Sequence, residues 1–410
     1  SIAAEVDFAA VMARMRQIRA EISTHDAADR FKELGIDVFL GEGQFQADQT
    51  IRVGDQVLRF RKAVIATGAR AAKLDISGIE AAGYLTNETV FSLTDRPNRL
   101  AVIGAGPLGA ELAQAFRRFG SQVTLFHRGS HILNKEDPEA AEIVQQAFLE
   151  EGIELILNSQ IERVEADSNG KVIYYRSDRG ENSITVDEIL IGTGRTPSVA
   201  GLNLEAVGVA FDAKTGVRVN DFLQTTNPKI YAAGDICMNW KFTHAADAAA
   251  RIVIKNALFT PLGLGRSRLT DLVMPWVTYT DPEIAHVGLY EHEAKQKGIA
   301  FETIMISLDD VDRAITDSET KGFVKIHHQQ GTDKILGATI VARHAGDLIS
   351  EITTAIVGKV GLSQLSNVIH PYPTQAEGIK RAADNYRRTL LSTRARTLLG
   401  ILNRIASLGS

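Results

Sequence analysis

The stretch Leu100-Ala-Val-Ile-Gly-Ala-Gly-Pro-Leu-Gly-Ala-Glu111 decides the fold. A short apolar run is broken by glycines at 104, 106 and 109, an amphipathic stretch follows, and a second apolar run occupies Val123 to Phe126. Strand, glycine turn, helix and strand in this order make a dinucleotide site. Gly104 permits the tight turn, Gly106 the approach of a pyrophosphate, and Gly109 the close packing of helix on strand. The helix N-terminus then offers N–H groups and a positive dipole end to the phosphates.

The residues after the second strand choose between nucleotides. A site for NAD usually places Asp or Glu about 20 residues past the glycines, where it bonds the ribose 2′-hydroxyl. Here His127 and Arg128 stand 23 and 24 residues beyond Gly104. A carboxylate repels a 2′-phosphate, whereas a guanidinium binds it through two hydrogen bonds. The spacing favours NADPH, with NADH still possible. A solvated loop charge is the other reading of Arg128.

Outward from this unit, 410 residues suffice for two or three domains. Hydrophobic content of 44%, charged content of 23% and a net charge of −5 describe a globular chain with no basic surplus for nucleic acid. No apolar run is long enough to span a membrane, and no signal peptide opens the chain. Cys237 is the only cysteine, which excludes an internal disulfide or a cysteine metal cluster and points to the cytoplasm. The first residue is Ser1, which suggests a start other than the native one.

Apolar positions Phe8, Val11, Met12, Met15, Ile18 and Ile22 recur at helical spacing, predicting one or two helices over 5–34. From Ile36, the runs IDVFLGEGQF, QTIRV and QVLRF read as a small strand meander. Lys62 to Gly68, KAVIATG, is a strand entering a glycine turn. Further strands are expected near 154–157, 161–165 and 188–191, with a hairpin at Asn169-Gly170. KIYAAGD at 229–235 is another strand, and an Ala-rich helix follows over 244–258. Pro261–Arg268 reads as a linker. Strands at 276–279, 303–307, 322–327 and 335–342, then helices, predict an α+β C-terminal domain.

Three separated pieces agree: ATG at 66–68, GAGPLGAE at 104–111 and IYAAGD at 230–235. With TYTDPEIA at 278–285 and HPYPTQAE at 370–377, the chain over about 1–390 resembles the pyridine nucleotide–disulfide oxidoreductases. That family includes dihydrolipoamide dehydrogenase, glutathione reductase and mercuric reductase. The resemblance implies an α/β fold in which a Rossmann-like FAD domain is interrupted by an NAD(P) domain, followed by an α+β dimerisation domain. Carried onto this chain, 1–97 and 195–268 are FAD-domain segments, 98–194 binds NAD(P)H, 269–390 forms a homodimer interface, and 391–410 is a basic tail. It also implies that Asp235, beside Gly234, bonds the ribityl chain of FAD, and that Lys241, Phe242, Thr243 and His244 lie along the flavin. Thr67, Gly68, Gly194 and Arg195 line the cofactors, Gly43 contacts the adenine end, and Glu111 lies near the nicotinamide.

The family opens with a strand, its own glycine turn and a CxxxxC disulfide, none of which is found here. The resemblance therefore implies that roughly 80–100 preceding residues are absent. It implies in turn that the chain as given is incomplete for catalysis, binding NADPH but little or no flavin. One cysteine cannot make the pair that disulfide exchange requires, and Cys237 reads as a small buried hydrophobe.

In the family's C-terminal loop, a His five residues before a Glu serves as base. Aligned through Pro373, Thr374 and Glu377, that place is Tyr372, whose ordinary pKa of about 10 makes it a poor base but a good hydrogen-bond partner. His370 is a possible substitute. Tyr at this place resembles mercuric reductase and soluble transhydrogenase, and ILNKEDPEAAEIVQQ at 132–146 favours the former. The tail carries no cysteine pair for Hg(II), so a small molecule, a metal ion or a disulfide remains open as acceptor. Two further readings are a transhydrogenase or dihydrolipoamide dehydrogenase-like enzyme, and a non-catalytic NADP-binding fragment. From Tyr386 the tail is basic with Leu and Ile at helical spacing, as in a packed terminal helix or one that touches a membrane surface.

Overall fold

The structure, a computed structural model, describes residues 6–47, 49–391 and 393–407. Side chains of Leu398 and Ile405, part of the apolar spacing in the tail, lie outside the described residues. The chain divides into two compact units, one of 1–128 with 153–272 and one of 129–152 with 273–410.

At the centre of the first unit, Arg99–Ile103 pairs in parallel with Gln122–Phe126 on one side and Glu188–Ile191 on the other. Glu154–Ile156 extends this four-stranded sheet. Leu100, Ala101 and Val102 are fully buried, as an unbroken apolar run in a parallel sheet requires. Helix Pro107–Arg118 buries Ala110, Ala113 and Phe116, one face of its 3.6-residue period. An antiparallel meander of Gln160–Asp167, Gly170–Ser177 and Gly180–Val186 follows.

The same unit holds helices Phe8–Ser23 and Ala28–Glu33 and the predicted small meander, Gly43–Gln46, Thr50–Val53 and Gln56–Arg59. The first strand begins later than the apolar pattern suggests. Residues 36–40 form no strand, and Ile36, Phe39 and Leu40 are exposed. Alternating hydrophobicity yields a strand only where a neighbouring backbone takes up its N–H and C=O groups.

The second unit is built on a five-stranded antiparallel sheet in the order 275–278, 283–288, 335–342, 323–329, 301–307. Glu283–Gly288 was legible as a motif rather than as a strand. Helix Ala345–Val357 packs on strands 283–288 and 335–342, and helix Glu377–Thr389 on 301–307 and 323–329. Ile340, Ile352, Leu362 and Ile379 belong to their shared core. Residues 129–152, which sequence reading groups with 98–194, cluster with this unit. Asp137 caps helix Pro138–Glu150, accepting from the N–H groups of Glu139 and Ala140 at 3.0 and 3.2 Å.

Candidate functional site

Gly104 has φ +106°, and a Cβ there would lie 2.8 Å from the backbone of Gly192. A Cβ on Gly109 would lie 1.8 Å from Gly104 O, so helix 107–118 reaches this turn only through glycine. At Gly106 a Cβ would meet nothing within 4 Å. This residue caps the helix in extended conformation, with no side chain capping it. The turn therefore presents bare backbone and a helix N-terminus to open space, a donor set that fits a pyrophosphate. Glu111 follows in the first half of the helix, partly buried.

His127 and Arg128 leave the end of strand 122–126. His127 N–H donates to Ile156 O at 3.0 Å, and its carbonyl accepts from Ser159 N–H at 3.0 Å. Its backbone is thus pinned while the next residue, Arg128, is exposed.

Three glycine motifs meet in the same unit. Ala63–Ile65 pairs in parallel with Ile230–Ala232, so the ATG at 66–68 and the AAGD at 232–235 leave adjacent strand ends. The crossing segment Arg195–Pro197 pairs with Ala69–Ala71. Ser198 N–H donates to Gly68 O, and Ala72 N–H to Gly194 O, each at 3.0 Å. Thr67 Oγ1 donates to Ser198 O at 3.0 Å. Arg195 lies 3.3 Å from the Asp235 carboxylate and donates to Ala69 O at 2.8 Å. Asp235 is therefore a largely buried acceptor at a strand end, held by a guanidinium. Such a carboxylate fits the hydroxyls of a ribityl chain.

Lys241 Nζ donates to Asp235 O at 3.1 Å. Phe242 caps helix Thr243–Leu258 and stacks on His244 with ring centroids 5.3 Å apart. Gly234 has φ +79°. Cys237 is partly buried and its thiol is pushed up to about 12 by desolvation, with Lys241 opposing and Asp235 adding to the shift. Such a sulfur is an inert thiol, not a nucleophile. Gly43 opens its strand opposite Val53, and a Cβ there would meet only ordinary contacts. Nothing steric demands glycine at that position.

The C-terminal loop belongs to the second unit. Tyr372 is exposed, and its hydroxyl donates to Asp312 Oδ2 at 2.9 Å. The hydrogen bond and charge of Asp312 hold its phenol above the ordinary pKa. Arg381 donates to Glu377 Oε1 at 3.0 and 2.8 Å and lies 3.7 Å from Asp312. Glu377 Oε2 is buried with no partner among the described residues. His370 is engaged elsewhere: Nε2 lies 2.8 Å from Glu351 Oε1, and Nδ1 3.2 Å from Val368 O. The structure thus joins Tyr372 and Glu377 through Asp312 and Arg381, and gives His370 a different carboxylate.

Asp312 and Glu351 escaped sequence reading because they lie 60 and 19 residues from their partners. Arg381, four residues past Glu377 on one helix, was legible by spacing. A buried network also went unread. Lys325 donates to both Asp137 oxygens at 2.9 Å, and Glu136 accepts from Tyr290 at 2.6 Å and from Trp276 at 3.2 Å.

Two family models match the chain. A family model described as pyridine nucleotide-disulphide oxidoreductase matches residues 5–250, and its dimerisation domain matches 274–383. The chain is 38% identical to a mercuric reductase of Lysinibacillus sphaericus over 93% of its own length and 69% of the relative's. A mercuric reductase of Staphylococcus aureus is 39% identical, over 87% of this chain and 64% of the relative. Among solved structures, the HOCl-induced flavoprotein disulfide reductase RclA from Escherichia coli superposes with TM-score 0.84 at 25% identity, covering 93% of this chain and 86% of that one.

Proposed function

The chain belongs to the pyridine nucleotide–disulphide oxidoreductase family, and from that premise we propose that it passes electrons from NADPH through FAD to a disulfide or a metal ion. Its architecture is the family's, a FAD-binding Rossmann-like domain interrupted by an NAD(P) domain, with a separate C-terminal dimerisation domain. The observation that carries the reading is the meeting of Gly68, Gly194 and Asp235, with Arg195 bonded between the strands.

In this reading the turn at 104–109 holds the NADPH pyrophosphate by backbone N–H groups, and Arg128 takes the 2′-phosphate. Asp235 accepts from the ribityl hydroxyls, with Lys241, Phe242, Thr243 and His244 along the ring. FAD, when bound, supplies the two-electron chemistry. Tyr372, held by Asp312, presents its oxygen to the acceptor, and Glu377 positions it through Arg381. A poor base suits a reaction in which the acceptor needs a ligand rather than a proton acceptor.

The 410 residues contain one cysteine, so the acceptor's sulfur pair does not lie among them. That same count favours a second reading, transfer between NADPH and NAD+ with no disulfide. A homodimer through 274–383 and a cytoplasmic setting complete the proposal. No helix among the described residues is long and apolar enough to cross a membrane.

The test is to add FAD to the chain and titrate it anaerobically with NADPH, followed in the visible flavin band; NADPH bound with no FAD taken up is the result that the non-catalytic NADP-binding reading expects. Bleaching, with recovery on adding a disulfide or metal-ion acceptor, supports the first reading. Recovery with NAD+ alone selects the second, and bound nucleotide without bleaching contradicts both.

A further inference from the structure

The family match of the dimerisation domain ends at residue 383, yet the structure continues into a helix over Thr393–Ser407. This helix has two faces. At 100° per residue, Ile401, Leu402 and Leu399 fall within an arc of about 160°. Thr397, Gly400, Asn403, Arg404 and Ser407 occupy the opposite side. Leu399, Ile401 and Leu402 are 53, 49 and 52% exposed, and Leu390 and Leu391 just before the helix are also exposed.

The charge of the segment is one-sided. From Tyr386 to the last residue there are five arginines and no Asp or Glu, in a chain whose net charge is −5. The last carboxylate side chain is Asp384. At 15 residues the helix is too short to span a bilayer. A leucine arc with Arg404 on the opposite side, in a segment without a carboxylate, is instead the pattern of a helix that lies in the membrane–water interface.

We propose that the helix 393–407 docks on an anionic lipid surface, its leucine arc in the acyl boundary and Arg404 among the headgroups. A second copy that lays this helix on its own counterpart is disfavoured as occupant, because it would bring together two segments that each carry five arginines and no carboxylate side chain. Binding draws on both signals, apolar burial and attraction to anionic headgroups, so it depends on lipid charge and on salt.

The experiment is co-sedimentation of the full 410-residue chain with vesicles of phosphatidylcholine alone or mixed with phosphatidylglycerol. The expected result is binding to the mixed vesicles only, weakened by salt. Leu399→Ser with Leu402→Ser, and separately Arg404→Glu, should each weaken it by roughly ten-fold or more. Unchanged NADPH affinity in each variant verifies the fold, and Arg404→Glu carries the test if the double variant is unstable. No binding to mixed vesicles overturns the proposal, as does binding that ignores both variants. A leucine variant that lowers the oligomeric state of a wild type indifferent to vesicles also overturns it, assigning the face to a second copy.

Discussion

The Tyr372 hydroxyl donates to Asp312 Oδ2 at 2.9 Å, and Arg381 stands between that carboxylate and Glu377. A phenol in the place of the family's base is thereby held by an acid. Its proton is committed to Asp312, leaving the oxygen lone pairs as the face it offers.

Asp312→Asn should lower the Tyr372 pKa toward its ordinary value, because the carboxylate's hydrogen bond and charge raise it. The check is an ultraviolet phenolate titration, with Tyr372→Phe subtracted to isolate this ring. An unmoved titration would show that the contact does not persist in solution.

Cys237 should resist thiol reagents. With its thiol at about 12, the thiolate fraction near pH 8 falls about three powers of ten below that of a free cysteine. Kinetics with an aromatic disulfide reagent measure this directly. Modification of the folded protein at the rate of a free thiol would contradict the buried position.

The second unit should lose stability in acid through His286. Burial pushes this imidazole down to about 3, and it stacks on Tyr290 at 3.6 Å. The folded form stays neutral while the unfolded form takes up a proton below about pH 6.5. Stability is intact above that pH and falls by up to about 1.4 kcal/mol per pH unit as pH drops toward the folded value. Denaturant midpoints at two pH values, followed by Trp276 emission in a Trp240→Phe background, give the slope. His286→Phe should be weaker at neutral pH but flatter in acid. An equal slope in both proteins would exclude His286 as the source.

Assembly should depend on the apolar face near the C-terminal loop, where Ile369 is 92% exposed and Val357 and Val368 are also exposed. A stable family-type interface buries at least ~2,000 Å². Ile369→Asp should shift the protein from dimer to monomer in sedimentation velocity at micromolar concentration. A dimer indifferent to the change would place the interface elsewhere.

Much of this was legible in residue order, for physical reasons. Leu100–Ile103 is an unbroken apolar run and Val123–Phe126 is interrupted only by Thr124, the near-continuous pattern that parallel strands buried on both faces show. Gly104 and Gly109 are forced by backbone contacts that admit no side chain. Ile36–Leu40 misled because its pattern is strand-like while no strand among the described residues pairs with it; the Ile36 N–H donates to Phe31 O instead. Asp312 and the Lys325–Asp137 pair were invisible, since hydrogen bonds across 60 and 188 residues leave no trace in spacing. The cap of helix 138–150, Asp137-Pro138, was a local signal that could have been read.

Calorimetric titration of NADPH and NADH decides whether the turn at 104–109 forms an NADPH site with Arg128. The Gly106 turn is open and Arg128 is exposed beyond the pinned strand end, ready for a 2′-phosphate. A charge-assisted hydrogen-bond set contributes roughly 1.5–3 kcal/mol, so NADPH should bind about one to two powers of ten more tightly. Arg128→Ala should remove most of that preference while leaving NADH affinity unchanged. Tighter NADH binding by the wild type, or a ratio that ignores the substitution, would contradict the account.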